Sequence, residues 1–222
     1  MNRFGQFATA FVLAIACGEG AAWAQPPVAS EHPWSAQIDV GATVGHRSSS
    51  SIGGEVDYNV RPNLDVFLEA GRMGDVATSE LDRRATIVGD FIGATSKAVQ
   101  HAIYLDVGVR YSLKAIGMWH PFLTAGLGVT RLHTQTAFVV GSTTLTPSDL
   151  VDTYGVDLAL DLDGYVTKPF LMIGGGVNLP IKRRYFVEGT YRYGHIFART
   201  SQIDDDQGVN TQRVQVGFGV RF

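Results

Sequence analysis

The C-terminal segment TQRVQVGFGVRF alternates apolar and polar residues with a period of two. Its apolar positions are Val214, Val216, Phe218, Val220 and Phe222, and Arg, Gln or Gly occupies each position between them. A period of two is typical of a β-strand that has one apolar face. The segment therefore predicts a strand, and the next question is which of its faces meets water.

The same alternation recurs along the chain from Trp34 onward. The segments are WSAQIDVGATVG, SIGGEVDYNV, LDVFLEAG, HAIYLDVGVRYSL, PFLTAGLGVT, FLMIGGGVNLP and YFVEGTYRYGHI. With the closing segment they predict about eight strands, an even number that is typical of small outer-membrane barrels. Short turns such as RPN and PIKRR alternate with loops of about 15 to 30 residues, which is the asymmetry expected between the two ends of such a barrel.

A soluble β-sandwich or lipocalin-like barrel also alternates, with its apolar face turned inward. Strand length favours a membrane barrel instead, because the predicted strands reach about 10 to 12 residues and soluble strands usually have about 5 to 6. Lysine placement points the same way, since a solvent-facing sheet normally carries lysine along its strands and here every lysine lies at or beyond a predicted strand end. These residues are Lys97, Lys114, Lys168 and Lys182.

Aromatic residues supply a third argument, because they recur at one end of the predicted strands. If odd-numbered strands run outward from the periplasm, this end is periplasmic, at an interface where membrane proteins concentrate aromatic side chains. The predicted periplasmic aromatic girdle consists of Trp34, Tyr58, Tyr111, Trp119 and Tyr185, with Phe222 at the end of the chain. We therefore predict an all-β protein, an antiparallel transmembrane up-and-down β-barrel of eight strands, with a soluble β protein as the alternative.

The N terminus carries the features of a secretory signal peptide. Arg3 precedes an apolar run that ends at Cys17, and Ala22-Trp23-Ala24 matches the small-x-small pattern of a cleavage site. The run is shorter than the roughly 20 residues that a spanning helix needs. We predict three parts: a cleaved signal peptide at 1–24, a short periplasmic segment at 25–33 and the barrel at 34–222. Lipidation at Cys17 is the alternative.

Composition narrows the possible functions. A formal charge of −3 and a pI of 6.0 give no basic surplus of the kind that nucleic-acid binding requires. Cys17 is the only cysteine of the sequence, so a mature chain cut after Ala24 has no disulfide and no thiol chemistry. We predict no nucleic-acid partner and no cofactor.

The polar face of the predicted strands would line a lumen that eight strands make just wide enough for side chains to fill. The set combines carboxylates with arginines, which can pair with one another inside a barrel. The predicted luminal polar core consists of Asp39, Glu55, Asp57, Asp65, Glu69, Asp106, Arg110, Glu188, Arg192, Arg213 and Arg221. We favour a structural plug. The alternative is a narrow solute path, which would prefer cations because the carboxylates outnumber the arginines.

A signal peptide, about eight amphipathic strands, long loops on one side and the C-terminal VGFGVRF resemble the small outer-membrane barrels of the opacity-protein and OmpA-like transmembrane superfamily. The resemblance covers the chain from Trp34. It implies an outer membrane of a Gram-negative bacterium, with phospholipid and lipopolysaccharide as neighbours. It also implies that the outer-membrane assembly machinery reads a signal made of Val214, Val216, Phe218, Val220 and Phe222.

The predicted long loops carry the residues that an outside ligand would meet. Basic residues in or beside these loops are candidates for contact with lipopolysaccharide phosphates. These residues are Arg72, Arg83, Arg84 and Lys97. The segment that begins at Pro147 predicts either a short helix or an extension of a strand. Ala159 and Phe170 replace two carboxylates of an EF-hand, so we predict no metal site, although the loop aspartates leave open a weak divalent-cation contact.

Histidines near the predicted outer strand ends raise the question of catalysis, because a few barrels that this chain resembles act on lipid A with a Ser/His pair at the outer rim. His101, His133 and His195 lie there, but none has a serine two residues on. His46 does, in Ser48, but this pair lies on the short first loop without an evident acid partner. We therefore predict a non-enzymatic barrel with a structural or surface-interaction role, adhesin-like or antigen-like, through loops that bind an unknown extracellular ligand. The alternatives are a narrow cation-preferring channel or porin and, as a minor one, a lipid A-modifying enzyme.

Export is expected to remove residues 1–24, so the intact mass of protein purified from outer membranes should match a chain that begins at Gln25. Deleting Phe222 should lower the yield of inserted barrel, because the final strand loses its aromatic anchor at the interface. A mature mass that includes Cys17 and acyl chains would contradict the cleavage prediction.

Overall fold

The computed structural model describes residues 32–154, 162–198 and 208–222, which form nine strands and two helices. In chain order the elements are β1 (Trp34–Val44), β2 (Ser49–Arg61), β3 (Leu64–Met73), α1 (Ser79–Ile92), β4 (Thr95–Ser112), β5 (His120–Val140), β6 (Thr143–Leu145), α2 (Pro147–Tyr154), β7 (Gly164–Pro180), β8 (Tyr185–Ile196) and β9 (Val209–Arg221). The predicted signal peptide and Cys17 lie outside the described residues.

All strands except the short β6 close an antiparallel barrel of eight strands, and β6 folds back on β5 as a hairpin. Each barrel strand pairs with its neighbours in sequence, and β1 pairs with β9 from Ser35 opposite Arg221 to Val44 opposite Gln212. Trp34 and Phe222 exchange backbone hydrogen bonds of 3.2 and 2.9 Å at this closing seam. Closure leaves no sheet edge, so the backbone groups of the barrel find their partners within the sheet. The predicted all-β up-and-down barrel is confirmed.

The exposure of alternate residues shows which face of the sheet meets the surroundings. Along β9, Val214, Val216 and Phe218 are 50–56% exposed, whereas Arg213 and Gln215 are 1% exposed. In the other strands, too, most outward side chains are apolar, and the buried charged side chains face inward. This arrangement is typical of a membrane barrel and is the reverse of a lipocalin.

The two ends of the barrel differ as the sequence predicts. Short turns join β2 to β3, β4 to β5 and β7 to β8 at the end where Trp34 and Phe222 lie, and the longer connections lie at the other end. Trp34, Tyr58, Tyr111, Trp119 and Tyr185 are 43–50% exposed at the short-turn end. The rings of Trp34 and Tyr58 contact each other with their centroids 4.7 Å apart.

β4 and β5 are longer than predicted, at 18 and 21 residues. They stay paired as far as Thr95 opposite Val139, well past Ile103 and Val129, where the continuous apolar stretch of each outward face ends. Beyond that point the outward positions are mixed, with polar residues such as Lys97 and Gln135 beside apolar Val99 and Val139. The sequence analysis placed the strand ends where the amphipathic alternation ended, and so missed these extensions.

The connection from β3 to β4, predicted only as a long loop, contains α1. Thr78 caps its N terminus by accepting a hydrogen bond from the Leu81 amide at 3.2 Å, and Gly93 ends the helix with φ of 69°. Leu81, Ala85 and Gly89 form the buried face. α2 begins at Pro147, where the sequence analysis allows a helix to begin. Neither helix of the described ranges is long and apolar enough to cross a membrane.

Leu127 is 66% exposed on β5, among outward-facing apolar residues. Leu127→Arg should lower the free energy of unfolding in lipid by roughly 2–4 kcal/mol, because it puts a charge among hydrocarbon chains, whereas Gln135→Arg on the same face should cost about 0–1 kcal/mol. Urea titration of the barrel in lipid vesicles measures both. Equal costs would mean that the outward face does not contact hydrocarbon at Leu127.

Candidate functional site

A network of buried ion pairs fills the middle of the lumen. Arg192 on β8 lies 2.6 Å from a Glu55 oxygen on β2 and 2.5 Å from a Glu69 oxygen on β3. Arg213 on β9 is 2.9 Å from Glu69, and its guanidinium stacks 4.2 Å from the ring centroid of Tyr104. The Tyr104 hydroxyl donates to Glu69 at 2.7 Å. Strands far apart in sequence are therefore joined across the lumen.

A second arginine centre lies nearer the short-turn end. Arg110 on β4 contacts Glu55 directly and donates to both oxygens of Glu188 at 3.0 Å. An Asp57 oxygen lies 3.6 Å from Arg110, and the guanidinium stacks 4.3 Å from the Phe122 ring centroid. Glu55 contacts both Arg110 and Arg192, so the two arginine centres form one network.

Neutral amides extend this network. Gln37 donates to Glu188 at 3.2 Å and to Asp39 at 3.4 Å. Asn178 donates to Glu188 at 3.3 Å and accepts from Arg221 at 2.9 Å. Sequence analysis missed both amides, because a single Gln or Asn on a polar face carries no signal that distinguishes a network member from an ordinary luminal residue.

Two predicted luminal residues differ from the rest. Asp65 is only half-buried near the short-turn end, where it accepts a hydrogen bond from Asn59 at 2.6 Å. Asp106 is fully buried, but neither of its carboxylate oxygens has a hydrogen-bond partner among the described residues. The lumen therefore holds more carboxylate than its arginines pair with directly.

The lumen also holds a cluster of buried apolar side chains, which the sequence analysis did not predict. Inward-facing residues of six strands pack there with Val76 from the segment before α1. The apolar layer consists of Phe67, Met73, Val76, Ala102, Tyr104, Leu132, Phe170, Met172, Ile196 and Val209. A glycine provides room for its largest ring, since a Cβ on Gly71 would lie 2.6 Å from Tyr104 Cζ. The predicted luminal polar core is thus incomplete, because a cluster of buried apolar side chains packs beside the ion pairs.

The helix α1 covers the inward face of the β4 extension at the barrel mouth. Its buried residues Leu81 and Ala85 pack with Ala77, with inward-facing Ala98 and with Leu162 before β7. This helix, the segment that leads into it and the paired extensions of β4 and β5 form what we call the outer cap. The outer cap therefore lies over the apolar layer.

Arg47, between β1 and β2, forms hydrogen bonds to three parts of the outer cap. Its guanidinium donates to Asp82 at 2.7 and 2.9 Å, to Asp75 at 3.0 Å and to the Ala98 carbonyl at 2.6 Å. Burial would raise the pKa of Asp75, but hydrogen bonds from the backbone amides of Gln100 and Ala77 and from Arg47 hold that pKa below its usual range. These contacts are therefore present at neutral pH and weaken only as the pH falls through that lowered pKa.

The closed barrel with an apolar outer face, described above, agrees with the family to which the sequence is similar. A sequence profile for the outer membrane protein beta-barrel domain matches residues 7–222. The chain belongs to this family. The family and its barrel place the protein in the outer membrane of a Gram-negative bacterium. No curated protein matches the chain in sequence.

Solved outer-membrane barrels share the fold at low identity. Neisserial surface protein A superposes with a TM-score of 0.52 at 13% identity, covering 85% of this chain and 96% of that one. Ail, the attachment invasion locus protein of Yersinia pestis, gives 0.44 at 13% identity, covering 85% and 96%. The outer membrane enzyme PagL gives 0.40 at 13% identity, covering 85% and 99%. At these identities the likeness concerns the fold alone.

The basic residues proposed for lipopolysaccharide contact fall into two groups in this outer-membrane barrel. Arg83 and Arg84 lie on α1 and both pair with Glu80, at 2.5 and 3.2 Å. Arg72 and Lys97 instead lie on outward-facing positions of β3 and β4 and are exposed. The structure therefore does not bring these residues together into one cluster.

The rim histidines of this outer-membrane barrel contact groups that are not nucleophiles. His101 Nδ1 lies 3.1 Å from the Gly74 carbonyl oxygen, and His195 Nδ1 lies 2.7 Å from Oδ1 of Asn210. His133 stacks on Tyr165 with a centroid distance of 4.1 Å. His46 Nε2 lies 3.0 Å from Asp82 Oδ2, so the expectation that His46 lacks an acid partner is wrong: Asp82 lies on α1, which the sequence analysis did not predict. Within the described ranges, no group of three or more His, Cys, Asp or Glu residues is arranged to hold a metal ion. Of the loop aspartates, Asp161 and 204–206 lie outside those ranges.

Arg192→Met should lower the free energy of unfolding by about 3–5 kcal/mol, because it leaves Glu55 and Glu69 buried with one fewer partner. Arg83→Met, which removes an exposed ion pair on α1, is the matched control and should produce no measurable change. Urea titration in lipid vesicles reports both. A small effect of Arg192→Met would mean that water enters the lumen and solvates the carboxylates.

Proposed function

We propose that the protein is a non-enzymatic outer-membrane barrel with a surface-interaction role of the adhesin or antigen type, and that its interacting part is the outer end. The observation that carries the proposal is the division of the molecule into a filled lumen and an ordered outer cap. The terminal residues Val214, Val216, Phe218, Val220 and Phe222 remain the predicted signal for the assembly machinery.

The packing of the lumen argues against transport. A solute on its way through would have to break the Arg192 ion pairs and also pass the apolar layer around Phe170 and Met172. Eight strands leave little free cross-section beyond the side chains themselves. These features favour a structural lumen over the alternative of a narrow cation-preferring channel.

The outer end supports an interaction role. Paired strands, a capped helix and the Arg47 contacts hold this end in a defined shape, so a partner would meet a surface that needs little ordering on binding. Ile87 and Phe91 are exposed on the side of α1 away from the barrel mouth. Exposed apolar side chains beside charged ones are typical of protein-binding surfaces.

The rim supports a non-enzymatic role over lipid A modification. Acyl hydrolysis or transfer by a serine requires a base within hydrogen-bond reach of its hydroxyl. His195 instead contacts the side-chain oxygen of Asn210, and Phe197 stands two residues on and packs edge-on against the imidazole. We therefore expect the mass of purified lipid A to stay unchanged after incubation with the protein.

Planar-bilayer recording of the refolded protein tests the division between lumen and outer end. We expect no steady single-channel steps from the intact chain, nor from a variant in which a short Gly/Ser linker replaces α1 (Ser79–Ile92). Cells that display this shortened barrel should adhere less to cultured epithelial cells and to one another than cells that display the intact chain. Stable cation-selective steps from the intact chain would instead establish the channel, and unchanged adhesion would exclude the replaced segment as the interacting part.

A further inference from the structure

The outward faces of the barrel strands change from apolar to polar at the outer end. On β3 the outward residues Val66, Leu68 and Ala70 are followed by Arg72. On β5 the outward residues Leu127 and Val129 are followed by Arg131. Each arginine is therefore the first polar residue past the lipid-facing band, at the level where lipid head groups begin.

These two arginines are neighbours across the sheet. Arg72 pairs in register with Ile103 on β4, and Ile103 pairs with Arg131 on β5. Two strand spacings separate them, so their Cα atoms lie about 10 Å apart. One outward step further on, His101 stands opposite His133, and Lys97 follows on the same face of β4.

The outward-facing patch that contains Arg72, Lys97 and Arg131 carries positive charge without nearby carboxylates on the same face. At the outer end of the eight described barrel strands, outward positions carry no Asp or Glu, and the Arg and Lys residues among them are Arg72, Lys97 and Arg131, all on β3 to β5. Neither Arg72 nor Arg131 forms an ion pair within the described residues, unlike Arg83 on α1. Unpaired cations at a head-group level favour an anionic ligand.

Arg131 is also held in a defined orientation. Its guanidinium carbon lies over the ring of Tyr165 on β7, 4.5 Å from the centroid, and the same ring stacks on the imidazole of His133 at 4.1 Å, nearly parallel at 6°. A guanidinium held over an aromatic ring by a cation–π contact still has N–H groups that can donate to a phosphate. The stack thus reduces the ordering cost of binding.

We propose that Arg72 and Arg131, with Tyr165 positioning Arg131, form a binding site for the phosphate groups of lipid A on the outside of β3 to β5. Lipid A is the occupant because the patch continues directly from the lipid-facing band at the outer end, so a ligand there must combine acyl chains with an anionic head group. Ile103, between the two arginines, is exposed on the same face and supplies the apolar surface for the acyl chains of this ligand. Arg83 and Arg84 take no part in this site, because Glu80 already pairs with both.

Titration of the barrel in phosphatidylcholine nanodiscs with bisphosphorylated lipid A, followed by native mass spectrometry, tests the site. Arg72→Gln combined with Arg131→Gln should weaken binding about tenfold or more, since each substitution removes a charge-assisted contact. Tyr165→Leu should cause a smaller loss. Arg61→Gln combined with Arg183→Gln, which removes two exposed charges at the periplasmic end, is the matched control and should stay within about twofold.

Two comparison lipids identify the source of the phosphate. Dephosphorylated lipid A should bind weakly and equally to the wild type and the double variant, and phosphatidylglycerol should bind the wild type more weakly than bisphosphorylated lipid A does. The proposal is overturned if the double variant, shown to be folded by its heat-modifiable gel mobility, retains wild-type affinity. It is equally overturned if phosphatidylglycerol binds the wild type as tightly as lipid A. Neither outcome depends on the role proposed for the outer cap.

Discussion

Closure of eight strands into one barrel is the constraint on which the other features depend, because it pairs the backbone and sets the width of the interior. Every inward side chain then has to fit against those of the opposite wall. Large rings such as Tyr104 fit where the facing position is small, as at Gly71. Charged residues fit where an opposite charge lies within reach. The lumen is thus a protein core built partly from ions, surrounded by a sheet whose outer surface is apolar.

Much of this architecture could be predicted from alternation alone, because a period of two assigns each residue of a strand to one face. Strand number, up-and-down order and the apolar outer face were predictable for that reason. The extensions of β4 and β5 were not, since beyond Ile103 the outward face mixes polar and apolar residues and the alternation no longer distinguishes strand from loop. The helix α1 was missed because its buried face is short and contains Gly89, which lets the helix approach the sheet closely but weakens the sequence signal.

For the luminal residues, too, one part of the arrangement could be predicted from the sequence and another part could not. Sequence assigned Glu55 and Arg192 to the inward face, but it could not pair them, because they lie 137 positions apart and several arginines compete for each carboxylate. The apolar layer escaped notice because Phe170 and Met172 belong to a stretch in which both faces are apolar. Partners at the outer rim, such as Arg131 and Tyr165, depend on the register between β5 and β7, which a single sequence does not determine.

The ion pairs also link the two halves of the chain, since Glu55 and Glu69 belong to the first three strands and Arg192 and Arg213 to the last two. They form only when β1 meets β9, the contact of greatest separation in sequence. An incompletely closed sheet would leave these charges without partners beside hydrocarbon. The free energy of partly assembled states is therefore raised by more than the loss of a few backbone hydrogen bonds alone would raise it. The last step of folding is therefore the one that makes the whole structure cooperative, and an inserted barrel should open all at once rather than strand by strand.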